Sequence, residues 1–206
     1  MQAETLDQLE AEHDNVRAAI QGFLNHAEPS SARTLAAALA EFWALRALAL
    51  LAWVMDDLGE AEMRGRAALQ GFTAVGDALG IASTLRILAH VARVRGDYRH
   101  AISSLKEGLR LYWEMGHPWS VAACLQEMGQ AAYQLGRFEE AHNLLEQGLE
   151  RYRDLQDRIG IAGTLADLGA AARAMNRGRD AGRMYRDSLE LFWALGIPQG
   201  PGCGRV

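Results

Sequence analysis

Four columns of residues recur at intervals of 40 positions and gather the chemically capable side chains of this chain. Trp43, Ser83, Ala123 and Gly163 form the first, and Arg46, Arg86, Gln126 and Ala166 the second. Leu50, His90, Gln130 and Ala170 form the third, and Trp53, Arg93, Tyr133 and Arg173 the fourth. Within each set of four the steps are 3, 4 and 3 residues, the spacing of one helical face. That face carries four Arg, one His, two Gln, three aromatics and no carboxylate, in a chain whose net charge is -5. Guanidinium forks match carboxylate and phosphate groups, amides bond an extended backbone, and aromatic rings offer apolar contact area. The residues expected to bind are Trp43, Arg46, Trp53, Arg86, His90, Arg93, Gln126, Gln130, Tyr133 and Arg173. The expected partner is a protein or peptide that is acidic or carboxylate-bearing.

Other chemistry is poorly represented. Two E-x-x-H pairs, Glu10/His13 and Glu139/His142, have the i, i+3 spacing of carboxylate-bridged metal sites. They lie far apart along the chain, and Glu139 falls at a recurring position. The His13-Asp14 dipeptide lacks the further His and Asp ligands of a metal phosphohydrolase. Ser103-Ser104 and Ser30-Ser31 have no glycine elbow; Ser30 or Ser31 reads as a helix N-cap, as do Asp77 and Asp157. Cys124 sits in a helical stretch without a basic neighbour, as a buried, inert thiol would. The only lysine, Lys106, follows no glycine-rich loop, so there is no phosphate-binding signature. No catalytic residue, metal ligand or cofactor site is expected, and the chain is not read as an enzyme.

The elements that position these residues are helices in pairs. Ile81, Val121 and Ile161 open matching units, followed by Leu85/Leu125/Leu165, Leu88/Met128/Leu168, Ala89/Gly129/Gly169 and Ala92/Ala132/Ala172. A turn follows at Gly96-Asp97-Tyr98, Gly136-Arg137-Phe138 and Asn176-Arg177-Gly178. A second stripe continues with Ala101/Ala141/Ala181, Leu109/Leu149/Leu189 and Tyr112/Tyr152/Phe192. Both stripes have helical period, so each unit is two antiparallel helices, and repetition at this length predicts a solenoid. Four units are expected, 41–80, 81–120, 121–160 and 161–200, the first degenerate at its turn. Residues 1–40 form an N-terminal helical linker or cap and 201–206 a flexible Gly/Pro tail. Pro118 suits a first helical turn. Small residues at 89/129/169 and 108/148/188 predict close helix crossings, because mid-helix Gly is otherwise unfavourable. Trp113 and Trp193 are expected to fill gaps between stacked pairs.

These residues resemble the tetratricopeptide repeat family. The marks are Leu88-Ala89, Met128-Gly129 and Leu168-Gly169, the Gly-x-Tyr/Phe turns, and Ala101/Ala141/Ala181, with Gly136-Arg137-Phe138-Glu139-Glu140-Ala141 an especially close match. The family's usual Trp and terminal Pro are missing, and the unit exceeds its standard of about 34 residues. The longer unit is similar to that of bacterial signal-transduction regulators. The stretch Leu9 to Ile20 resembles the helix that joins the ATPase and winged-helix part of STAND-type (MalT-like, AfsR-like) transcriptional regulators to their repeat sensor. The resemblance implies an all-α right-handed superhelix whose first helices line a concave binding surface. It implies a non-catalytic protein-interaction or ligand-sensing module, a regulator's sensor segment; the alternative is a free-standing adaptor or self-associating scaffold, and an all-helical metal enzyme is a distant third.

Composition agrees. The pI near 5.7 gives no basic footprint for nucleic acid. The most apolar stretch, Phe42 to Met55, is short for a membrane span and contains Arg46. The acidic start MQAETLDQLEAEHDN is neither a secretory signal nor a transit peptide, so a cytoplasmic location is expected. The last helical stretch, Asp180 to Leu195, ends in Leu191-Phe192-Trp193 without a polar capping helix. Its C-terminal edge is therefore expected to be covered, by a second copy or by further sequence.

Overall fold

The computed structural model describes Arg46 and residues 57–196. The helices there are α1 (Leu58–Val75), α2 (Ala78–Val94), α3 (Tyr98–Glu114), α4 (Pro118–Gln134), α5 (Phe138–Asp154), α6 (Arg158–Ala174) and α7 (Gly178–Ala194). Among the described residues there is no strand, and the fold is an all-α helical-repeat solenoid. The chain divides into two compact units, Met1–Ile87 and Leu88–Val206. The expected linker of residues 1–40, the tail, Trp43 and Trp53 lie outside the described residues. No described helix is long and apolar enough to cross a membrane.

From α2 onward every helix has 17 residues and every connection three. The connections share one chemistry. Residues 76, 96, 116, 136, 156, 176 and 196 all have positive φ; five are Gly and the others Gln156 and Asn176. The residue after each of the first six left-handed positions donates its N–H five residues back, as in Asp97 to the Ala92 carbonyl (2.8 Å) and Arg137 to the Ala132 carbonyl (3.0 Å). This closes the preceding helix with a Schellman motif. The same residue then opens the next helix. Asp57, Asp77, Asp97 and Asp157 accept from backbone N–H groups of the following first turn at 3.0–3.1 Å, satisfying donors that have no intrahelical partner. Pro118 occupies the first turn of α4.

The helices of a pair differ in what they bury. The first helices, α4 and α6, bury small and aliphatic residues over a broad arc, from Val121 to Ala132 and from Ala162 to Ala172. The second helices, α5 and α7, bury a narrow stripe, Ala141, Leu145, Gly148, Leu149 and Tyr152 in α5. A broad apolar arc needs neighbours on several sides, and α4 packs on α3, α5 and α6. Leu145, Leu149, Leu165, Leu168 and Ala171 form one buried cluster, with Tyr133, Ile161, Met184 and Leu191 packed against it. Cys124 is fully buried.

The small residues mark direct contacts. A Cβ on Gly129 would stand 2.6 Å from Leu145 Cγ, and one on Gly169 2.8 Å from the Tyr185 ring. Gly80 and Gly160 are tighter still, 2.3 Å from the Phe72 ring and 2.4 Å from the Tyr152 ring. Each seats the last aromatic of a second helix against the start of the next first helix. Replacing Gly129 or Gly169 with Leu is expected to lower unfolding free energy by about 1–3 kcal/mol through overpacking. Gly136→Ala meets no atom within 4 Å but must hold φ +74°, and should cost about 1–2 kcal/mol through backbone strain alone. Urea midpoints at constant slope read both effects; unchanged midpoints for both Leu variants would place the helix crossings elsewhere.

Candidate functional site

The residues expected to bind fall in different places. Arg46 is helical and half-buried, and Arg86 is half-buried on α2; both belong to the first compact unit. His90, Arg93, Gln126, Gln130, Tyr133 and Arg173 belong to the second unit. There, His90 and Arg93 sit one turn apart on α2, and the Arg93 guanidinium donates to His90 Nδ1 at 3.0 Å. Guanidinium cannot accept, so this contact holds His90 with Nδ1 as the acceptor. Gln126, Gln130 and Tyr133 follow one another along α4, and the Tyr133 ring lies 5.5 Å from that of Phe138. Arg173 is exposed near the end of α6.

This face was expected to hold no carboxylate, and the structure corrects that. Asp167 of α6 lies between the two glutamines. Gln126 Nε2 donates to Asp167 Oδ2 at 2.9 Å and Gln130 Nε2 donates to the same oxygen at 2.8 Å. Gly163, one turn earlier on α6, makes this possible, since a Cβ there would stand 3.3 Å from Gln126 Nε2. Burial raises the Asp167 pKa above its ordinary 3.8, against the opposing pull of the two amides and of the Arg93 charge. Tyr185 of α7 joins the same electrostatic cluster. Its hydroxyl pKa is raised, first by burial, and it feels Arg173, Tyr133 and Asp167.

The orientation of the amides has a chemical consequence. An ionised carboxylate only accepts, so both glutamines must turn their NH2 groups inward. Among the described residues, Gln126 Oε1, Gln130 Oε1 and Asp167 Oδ1 accept no hydrogen bond, and none of the three is sealed from solvent. The centre of the face is therefore a cluster of acceptors, with the guanidinium groups of Arg93 and Arg173 close enough to act on the Asp167 and Tyr185 charges. Asp167 escaped sequence reasoning because its column, Ile87, Glu127 and Asp167, carries no consistent chemistry. Tyr185 was findable: it stands in the column of Leu105 and Leu145, two buried core leucines, where a phenol is out of place.

Two further expectations change. Trp113 and Trp193 do not fill gaps between helices; they are 59% and 67% exposed. Each follows by one position the buried aromatic of its helix, Tyr112 or Phe192, and is thus turned about 100° away from the core. Leu189 is 49% exposed, whereas its counterpart Leu149 is buried against α6. In the Glu139/His142 pair, His142 Nδ1 stands 3.5 Å from Glu146 instead. Among the described residues no group of three His, Cys, Asp or Glu side chains could hold a metal ion.

The family model of the tetratricopeptide repeat matches residues 121–155, from the first turn of α4 to the end of α5. Solved structures share the fold. The apo form of RapI superposes with a TM-score of 0.73 at 15% identity, over 95% of this chain and 68% of that one. A Podosopora anserina protein with nearly identical tetratricopeptide-like repeats gives 0.61 at 14% identity, over 95% and 92%. A Rap protein complexed with competence and sporulation factor gives 0.69 at 14% identity, over 89% of this chain and 51% of that one. No curated protein matches the sequence. The matched repeat thus supplies Gln126, Gln130 and Tyr133, and Asp167 comes from the helix after it.

Because its folded-state pKa is raised, Asp167 binds its proton more tightly in the folded chain than in the unfolded one. Stability is then greatest below the ordinary carboxylate value and is lost as pH rises through the raised one. Asp167→Asn removes the titration and keeps an acceptor oxygen for the glutamines. In urea unfolding from about pH 3 upward, the wild type should lose stability relative to Asp167→Asn. A flat difference, or one of opposite sign, would show that Asp167 is not desolvated.

Proposed function

We propose that this chain is a non-catalytic recognition module, and that the face built from α2, α4 and α6 in the second unit holds an extended peptide segment of a protein partner. The observation that carries this reading is the pinning of Gln126 and Gln130 by Asp167. It orders two long side chains in advance, so less rotamer entropy is lost on binding, and it aims acceptors at a peptide's N–H groups. Arg93 and Arg173 supply donors for the peptide's carbonyls and for acidic side chains, the part of the earlier expectation that concerns charge. Tyr133 adds apolar contact. A repeat stack of the same fold complexed with competence and sporulation factor supports a recognition role for such architecture.

In this proposal Trp43, Arg46, Trp53 and Arg86 are recognition residues of the first unit. The resemblance of Leu9 to Ile20 to a STAND-regulator joining helix supports the setting of a transcriptional regulator's sensor segment.

The test begins with a peptide selected from a random display library on the purified chain. Arg93→Ala with Arg173→Ala should weaken its binding about tenfold or more, with each lost charged hydrogen bond contributing about 1.5–3 kcal/mol, and the weakening should shrink as salt is added. Gln126→Leu with Gln130→Leu should weaken binding regardless of salt. A selected peptide that binds parent and both double variants equally would remove the site from this face.

A further inference from the structure

We propose a second binding site, away from the Asp167 cluster, for a carboxylate carried on a compact apolar body. It is a cleft of about 260 Å³ where the C-terminal ends of α3 and α5 meet the start of α4. Its apolar walls include Trp113, Tyr112, Pro118 and Val121, and its polar edge is Arg151 and His117.

Three observations converge on an anion. First, the Arg151 guanidinium carbon lies 4.8 Å from the centre of the Trp113 ring, within reach of a cation–π contact that holds it over an otherwise exposed indole. Second, among the described residues the Arg151 side chain makes no hydrogen bond and no ion pair. Arg64, Arg110, Arg137 and Arg183 each reach a carboxylate three or four residues away in sequence. Arg151 does not, although Glu150 and Asp154 are its neighbours in sequence. Its fork of donors is half-buried, fixed and uncommitted. Third, His117 opens α4 without using its ring to cap the helix, and the ring stands 6.2 Å from Tyr112. A second ring N–H donor is thereby available on the same edge.

A planar carboxylate fits a guanidinium fork with two parallel hydrogen bonds. The rest of the ligand is then apolar, because Trp113, Tyr112, Pro118 and Val121 make the remaining walls largely of ring and aliphatic surface. The volume falls just below the range of about 300–1,000 Å³ typical of drug-sized ligands, so the body is about one ring in size. Among the described residues the second unit does not repeat the arrangement: at the equivalent edge after α5, Arg153 stands where Trp113 does and Leu191 where Arg151 does. The same chemistry is offered by a free aryl-acetic acid and by the C-terminal residue of a peptide.

The experiment follows the indole N–H signals of the five tryptophans by NMR of the full chain, with Trp113 assigned through Trp113→Phe. Phenylacetate, phenylacetamide, acetyl-Gly-Phe and acetyl-Gly-Phe-amide are titrated separately. The Trp113 signal should shift saturably with at least one of the two acids and not with its amide counterpart. Saturation by phenylacetate identifies a free acid as sufficient; saturation by acetyl-Gly-Phe alone identifies a chain end. Arg151→Gln should weaken the acid about 10- to 100-fold, the loss of a charge-assisted pair. Arg151→Lys, which keeps the charge and loses the fork, should weaken it less, and it provides the same reading if the Gln variant does not fold. Arg93→Ala with Arg173→Ala should leave the titration unchanged, which separates this site from the peptide face. The proposal is overturned if neither acid saturates the Trp113 signal by about 10 mM, if acid and amide bind alike, or if the Arg151 variants bind as the parent does.

Discussion

From α2 onward three residues separate each helix from the next, and in those three the chain must end one helix, reverse and start another. The left-handed residue makes the reversal, and the residue after it does two jobs: its N–H closes the Schellman bond behind it and, where it is Asp, its carboxylate caps the helix ahead. Everything else depends on the constancy of this junction. One residue more or less would turn the following helix by about 100° and carry its apolar stripe off the core. Because the turn is constant, equivalent positions in successive helices remain equivalent in space. Gln126 and Gln130 of one pair therefore meet Asp167 of the next.

The close crossings are the second level. Where Gly129 meets Leu145 and Gly160 meets the Tyr152 ring, the missing Cβ lets the backbone of one helix rest on a side chain of its neighbour. The same device serves the candidate site at Gly163, where the space is filled by the Gln126 amide. A small residue that sets packing at one repeat thus shapes binding chemistry at another. The Asp167 carboxylate completes the link by keeping two long, flexible side chains in one arrangement.

The two proposed binding surfaces contrast in origin. The α2, α4 and α6 face uses residues from the repeating columns, and its character comes from what those columns hold locally: Arg in one repeat, Gln in the next, small residues in the third. The cleft at Arg151 and Trp113 owes its character to these two residues, which lie outside the repeating pattern. Outward positions on second helices are free of the packing constraint, so they can carry features that occur once.

How much of this was legible in the chain alone follows from the range of the interactions. Helix pairing, the turns at Gly96 and Gly136, the caps at Asp77 and Asp157 and the crossings at Gly129 and Gly169 are written in spacings, because an α-helix converts a sequence interval directly into a face. The buried state of Cys124 follows from the same periodicity. Three features needed the tertiary structure. Asp167 reaches Gln126 and Gln130 across 41 and 37 residues, and the approach of α6 to α4 that joins them is set by many packed side chains at once. The exposure of Trp113 and Trp193 turns on a single step around the helix, which decides between core and solvent. Arg151 finds the Trp113 ring from a different helix, and no interval in the sequence announces that contact. Periodicity determines which face a residue lies on; only packing decides which face it meets.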